Sequence, residues 1–186
     1  MDSKLITFIG APSSGKSTLA ADVHTDLKKQ HQNSILISEV ATDFIAENGI
    51  PNTPLDQMVI FYQQLNKEKM FIGSKEYIIC DSSGILNYFY FRTLFDDKLS
   101  KKEIAIINHL QKEILQTINQ WDHIFYLPPM ISNINDGVRY HNEDDIMRLD
   151  RWIKTYLEIE NIPHHDMSLI PIDDRKKYIL DILLNI

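Results

Sequence analysis

Lys4-Leu5-Ile6-Thr7-Phe8-Ile9-Gly10-Ala11-Pro12-Ser13-Ser14-Gly15-Lys16-Ser17-Thr18 is the stretch that decides how this chain folds. Residues 4–9 are mostly apolar, rich in β-formers and stopped by a glycine, which predicts a short buried strand. From residue 17 to about residue 30, Leu19, Val23 and Leu27 recur at helical spacing on one face. Between the two lies Gly-x-x-x-x-Gly-Lys-Ser, from Gly10 to Ser17. A glycine loop leaving a strand and opening a helix turns successive backbone N–H groups inward, where they cradle phosphates. The helix N-terminus adds partial positive charge. Gly10, Ala11, Pro12, Ser13, Ser14 and Gly15 form the cradle. Lys16 is expected to reach the β- and γ-phosphates, Ser17 to ligate Mg²⁺, and Thr18 to lie near the α-phosphate. Four constrained positions in eight arise by chance in under about 1% of chains this long, so an empty glycine turn is a poor account.

Outward from the loop, strand-like and helix-like segments alternate. Strands are predicted at 34–40, 76–81, 122–127 and 167–172. A short helix is predicted at 42–47, stopped by Asn48-Gly49 and Pro51. Thr53-Pro54 reads as an N-cap followed by proline, opening a helix with Leu55, Met58, Val59, Tyr62 and Leu65 inward. Residues 86–95 are aromatic and helical. Ser100-Lys101-Lys102-Glu103 is a capping box before Ile104, Ile107, Leu110, Ile114 and Ile118. Residues 131–142 are polar and irregular. Asn142 then caps a helix with Ile146, Leu149, Ile153 and Leu157 on one side. Asp173-Asp174 opens the last helix. Five short apolar strands separated by helices predict an α/β fold: a five-stranded parallel sheet with helices on both faces. The expected organisation is a single P-loop domain over residues 1–186, with a small lid over about 130–151. In such sheets ligands bind beyond the carboxyl ends of the strands. Glu39, Asp81 and the segment after Leu127 fall there with the glycine loop.

The bulk numbers set limits. The 186 residues carry a net charge of −7 with no long Lys/Arg run, which disfavours a nucleic-acid partner. The single cysteine, Cys80, forbids an intramolecular disulfide and lies in the apolar run 77–80, where a buried inert thiol is expected. Residues 5–9 are too few for a signal peptide, and no segment approaches membrane-spanning length. A cytoplasmic protein with no membrane partner is expected.

A phosphate loop alone does not choose among kinase, GTPase, motor and transport ATPase. A guanine-reading Asn-Lys-x-Asp is missing: Asn66-Lys67 runs into Glu68-Lys69 in mid-helix. Asp81 is followed by Ser82, whereas most motor and remodelling ATPases carry an acidic residue there to activate water. A small kinase remains. The elements 10–18, Ser38-Glu39-Val40-Ala41, Ile79-Cys80-Asp81-Ser82-Ser83, Phe125-Tyr126-Leu127, Asp136-Gly137-x-Arg139 and Asp174-Arg175 resemble, in this order, the small P-loop kinase-like proteins. That group includes the ribosylnicotinamide kinase domain of the bacterial NAD regulator. The resemblance implies a nucleoside-kinase type of fold, ATP as donor and a hydroxyl as acceptor. Many relatives carry arginine where this chain has Thr42 and Ser82, which puts the family's usual acceptor in question.

The chemistry then distributes over few residues. Asp81 is placed to hold Mg²⁺ opposite Ser17. Glu39 is the candidate base for the acceptor hydroxyl, with Asp43 as the rival. Arg139, in the lid, is expected to meet the charge that develops in transfer. Arg148 and Arg151 share a helical face and can assist, or simply pair with Asp144, Asp145 or Asp150. The aromatic clusters 61–64 and 87–92 suit either core packing or stacking on a base, with a glutamine reading its edge. His164-His165 read as loop residues. Asp173 and its neighbours are expected to touch the purine. The expected function is Mg-ATP-dependent phosphoryl transfer to a small nucleoside, ribosyl or nucleotide acceptor. The alternatives are a nucleotide-dependent switch without a small acceptor, or a kinase of a modified base in DNA. Oligomeric state stays open, a homodimer included.

Overall fold

The computed structural model describes residues 2–94, 99–130 and 143–185, the side chains of 91–94 excepted. Strand β1 (Lys4–Ile9) is followed by α1 (Lys16–Lys29), β2 (Ser34–Ile37), α2 (Val40–Asn48), α3 (Pro54–Lys69) and β3 (Tyr77–Cys80). Then come α4 (Ile85–Leu94), α5 (Lys101–Ile118), β4 (His123–Tyr126), α6 (Glu143–Ile159), β5 (His165–Asp166) and α7 (Ile172–Leu184). The strands form one five-stranded parallel sheet in the order β2-β3-β1-β4-β5.

β1 shows why its sequence is nearly continuous in apolar residues. Side chains alternate between faces along a strand, and here both faces are covered. Ile6 and Phe8 pack with Val23 and Leu27 of α1 and with Ile179 and Leu183 of α7. Ile9 joins Phe89, Ile114 and Ile153, from α4, α5 and α6, on the other side. β1 pairs with β3 on one edge and β4 on the other, so the chain reverses its direction of winding beside it. The loops after β1, β3 and β4 therefore open at one topological switch point, where such sheets take ligands.

Local signals set several boundaries. Thr53 Oγ1 accepts from Asp56 N at 3.2 Å while Asp56 Oδ2 accepts from Thr53 N at 2.9 Å, a complete capping box with Pro54 behind it. Ser100 and Glu103 repeat the device on α5. α2 stops at Gly49, whose φ of 84° suits only glycine comfortably.

Four expectations are corrected. β2 ends at Ile37, not at 40: Ile37 O takes the amide of Asp81, and the chain then turns so that Glu39 is the N-cap of α2. β5 is only His165–Asp166, because Asp166 Oδ1 accepts from Ser168 N at 2.8 Å and turns Met167–Leu169 into a short 3₁₀ segment. Leu169, inside the strand expected at 167–172, is 92% exposed. His165 is therefore in the sheet, stacked on Phe125, with its Nε2 3.3 Å from His123 Nδ1. The fourth concerns α3. Leu55 is 58% exposed and Val59 is also at the surface, while Gln57, Ile60, Phe61, Gln64, Leu65 and Glu68 are buried. Three polar residues lie inward there because neighbouring elements present hydrogen-bonding groups to them.

Cys80 is a free, buried thiol, which burial pushes well above its ordinary range. No described helix is long and apolar enough to cross a membrane.

Candidate functional site

The loop after β1 is fixed by close approach. Leu127 N donates to Ile9 O at 2.8 Å, drawing the end of β4 against the loop. A Cβ on Gly10 would lie 2.2 Å from Leu127 O, so no side chain fits there. Met130 N donates to Ser13 O at 2.9 Å, and Ser13 itself takes a φ of 65°. Gly15, at φ 80°, is the N-cap of α1, and a Cβ there would meet Met130 Cε at 2.8 Å. Because a glycine cap offers no side-chain acceptor, the first N–H groups of α1 have no capping partner. The first turn carries no acidic residue. Ser17 and Thr18 are exposed, and the buried Ser13 Oγ has no hydrogen-bond partner. The uncapped N–H groups and the Ser13 hydroxyl are donors without acceptors, which is the chemistry of an anion site.

Lys16 starts α1 and folds back over the loop. Its Nζ donates to Gly10 O at 2.9 Å, Ala11 O at 3.0 Å and Ser14 Oγ at 3.3 Å. Burial lowers its pKa, and the carboxylates of Glu39 and Asp81 act in the opposite sense. The ammonium thus sits between the loop and two acidic side chains.

Asp81 follows the last residue of β3 and is 8% exposed. Burial, with the charge of Glu39, pushes its carboxyl up to about 6, against the Ser17 hydroxyl bond and Lys16. Its Oδ1 is buried without a partner. An orphaned carboxylate oxygen beside a serine hydroxyl suits a hard divalent cation with oxygen ligands. Among the described residues no group of three His, Cys, Asp or Glu can hold a metal by itself. Mg²⁺ does not require such a group, because it binds through one or two protein oxygens and completes its shell with phosphate and water.

Glu39 is half-buried at the head of α2, and its Oε1 accepts from Ser82 Oγ at 3.3 Å. Burial and the Glu39 charge push the Tyr90 phenol upward. Asp43 turns the other way and pairs with Lys67 at 3.0 Å on the surface. The structure therefore brings Lys16, Ser17, Glu39 and Asp81 together and leaves Asp43 out.

Arg139, with Asp136 and Gly137, lies outside the described residues, as does most of the expected lid. Arg148 and Arg151 are exposed on α6, and Arg148 Nη2 reaches Asp145 at 3.5 Å. Asp150 is not a surface partner: it is buried and accepts from Tyr126 OH at 2.8 Å. Phe61 and Phe89 belong to the core, and Tyr62 OH lies 3.0 Å from His109 Nε2. Gln64 is buried at 2% exposure, with both ends of its amide occupied by the protein. Gln57 and Glu68 are not among the residues expected inward from the sequence. Both are buried: Gln57 Oε1 accepts from Asn87 Nδ2 at 3.1 Å, and Glu68 Oε1 accepts from Gly84 N at 3.3 Å. Their spacing with Gln64 places them on one helical face, a pattern that a search for apolar periodicity passes over.

A cleft of about 360 Å³ runs from the loop toward α7. Gly15 and Thr18 line its loop end, Leu127, Met130 and Ile172 supply apolar surface, and Asp173 stands at the far side.

The family described as AAA domain matches residues 5–175. This chain belongs to that AAA-domain family. Its fold is that of the P-loop kinases. The AAA-domain chain superposes on the crystal structure of NadR protein in complex with NR with a TM-score of 0.70 and 19% identity, covering 89% of this chain and 46% of that one. It spans less than half the length of that protein. Deoxyadenosine kinase from M. mycoides with bound dCTP gives a TM-score of 0.69 and 15% identity, with 98% and 100% of the two chains covered. Thymidylate kinase from Candida albicans gives 0.60 and 16%, with 99% and 92% covered. No curated protein sequence matches the chain.

Proposed function

We propose that the chain is a Mg²⁺- and ATP-dependent phosphotransferase acting on a hydroxyl of a small nucleoside, ribosyl or nucleotide acceptor, as one domain with a lid over about 130–151. The observation that carries this reading is the meeting of a donor-rich loop with two carboxylates of different surroundings. One is Asp81, whose Oδ1 is buried without a partner. The other is Glu39, which is half-buried. The likeness in fold to NadR in complex with NR, and to deoxyadenosine and thymidylate kinases, supports the kinase class.

The loop amides and the start of α1 hold the triphosphate, and Lys16 exchanges its bonds to Gly10 O and Ala11 O for phosphate oxygens. Ser17 and Asp81 hold Mg²⁺, which when bound neutralises charge on the β- and γ-phosphates. The acceptor hydroxyl oxygen forms the new bond to the γ-phosphorus, and its proton passes to Glu39. The bond from the γ-phosphorus to the bridging oxygen breaks, and ADP carries away the electron pair. Arg139 meets the charge spread over the transferring group. The purine lies in the cleft between Leu127, Met130 and Asp173. Transfer is then mostly positioning and charge stabilisation.

The test is a panel of nucleosides, ribosyl compounds and nucleoside monophosphates incubated with the chain and Mg-ATP, with products separated and weighed by mass spectrometry. A phosphorylated acceptor formed in step with ADP is expected. ADP release with no phosphorylated acceptor anywhere in the panel would replace this reading by a nucleotide-dependent switch.

A further inference from the structure

We propose that Gln64 is a positioning residue that fixes the Glu39 carboxylate against the Asp81 segment through a closed ring of hydrogen bonds. Val40 N donates to Gln64 Oε1 at 3.0 Å, and Gln64 Nε2 donates to Ser82 O at 3.1 Å. Ser82 Oγ donates to Glu39 Oε1 at 3.3 Å. Glu39 and Val40 are adjacent, so one peptide unit closes the ring. Its members come from α2, α3 and the segment after β3.

The ring answers a local need. Val40 N is the first N–H of α2, and such groups lack a partner within the helix. Glu39 at the N-cap makes no side-chain capping bond, so the acceptor has to come from elsewhere. Gln64 supplies it from α3, where water has little access. A primary amide carries an acceptor and a donor on one rigid plane, and both are used here. The orientation is dictated by the partners: turned over, the amide would set donor against donor at Val40 and acceptor against acceptor at Ser82. Glu68, one turn further on, holds Gly84 N of the same segment. Gln57 is the natural comparison. It is buried as well, at 4% exposure, but among the described residues its side chain bonds only Asn87 of α4.

The kinetic consequence rests on the phosphotransferase reading; the positioning itself does not. Gln64→Leu, Gln57→Leu and Glu39→Gln are made in the full chain and checked by thermal melting. Amide hydrogen exchange is read at Val40, and turnover is read at saturating Mg-ATP across the acceptor panel. In Gln64→Leu, exchange at Val40 is expected to speed up by about tenfold or more. Its kcat falls by about 10²-fold, while KM for Mg-ATP changes by less than about twofold because the cradle is untouched. Gln57→Leu melts lower yet keeps Val40 protection and kcat. Unchanged Val40 exchange in Gln64→Leu overturns the proposal, and so does an equal loss of kcat in Gln57→Leu. Should Gln64→Leu fail to fold, Gln64→Glu carries the comparison. It keeps an acceptor for Val40 and, assayed at a pH high enough to ionise the buried carboxyl, loses the donor to Ser82, so protection persists while kcat falls; full kcat there overturns the proposal. A wild type that phosphorylates nothing removes the phosphotransferase reading, and a fully active Glu39→Gln removes Glu39 as its base; in either case Val40 exchange still decides the positioning.

Discussion

Gly10 and Asp81 are single residues whose replacement separates shape from chemistry. At Gly10 an added methyl would lie 2.2 Å from the Leu127 carbonyl oxygen, which is backbone and has little room to yield. Gly10→Ala is expected to displace the loop from the end of β4, lowering the melting temperature and weakening triphosphate binding together; calorimetry on the variant checks both. Asp81→Asn is close to isosteric and removes only the charge. It is expected to fold, to bind ATP without Mg²⁺ much as wild type does, and to lose at least about 10²-fold in Mg-dependent kcat. Both positions were legible in the sequence, because the glycine loop leaves one predicted strand and Asp81 stands at the end of another. The Asp43 alternative to Glu39 was not resolvable there. The two are four apart on the chain, and only the turn of α2 sends one to the site and the other to Lys67.

Elements show where sequence reasoning failed and why. α3 was read with Leu55 and Val59 inward, yet its buried face carries Gln57, Gln64 and Glu68. Apolar periodicity assumes that burial excludes polar groups, whereas buried polar groups are tolerated when their partners are in place. The start of the same helix was legible, because a capping box is a local signal. Thr53→Ala is expected to cost about 1 kcal/mol of stability, read from denaturant unfolding, with turnover unchanged. Glu68 gives a pH-dependent test. Burial raises its carboxyl to about 7 from an ordinary 4.5. A group whose folded pKa lies above its unfolded value contributes its full stability below about pH 4.5 and loses it as pH rises through about 7. Glu68→Gln keeps an acceptor for Gly84 N and cannot ionise. It is expected to match wild type near pH 4 and to be more stable at pH 8, by on the order of 3 kcal/mol. A stability difference independent of pH would contradict this.

At the scale of the whole molecule, parallel pairing around β1 makes the sequence intelligible. Alternating strands and helices predicted a sheet covered on both faces, and Ile6, Phe8 and Ile9 confirm it by packing to opposite sides. β5 was harder, because an edge strand of two residues carries little periodicity and Asp166 turns the chain early. The site is a product of that topology: three loops open at one switch point, and a positive loop end faces Glu39 and Asp81 across it. The account stands or falls on that loop as a triphosphate cradle. Calorimetric titration of Mg-ATP into wild type and Lys16→Ala tests it directly. Saturable one-to-one binding to wild type, with affinity lost by about 10²-fold in Lys16→Ala, is the predicted result. No heat with any Mg-nucleoside triphosphate, or equal affinity in the two proteins, would contradict it.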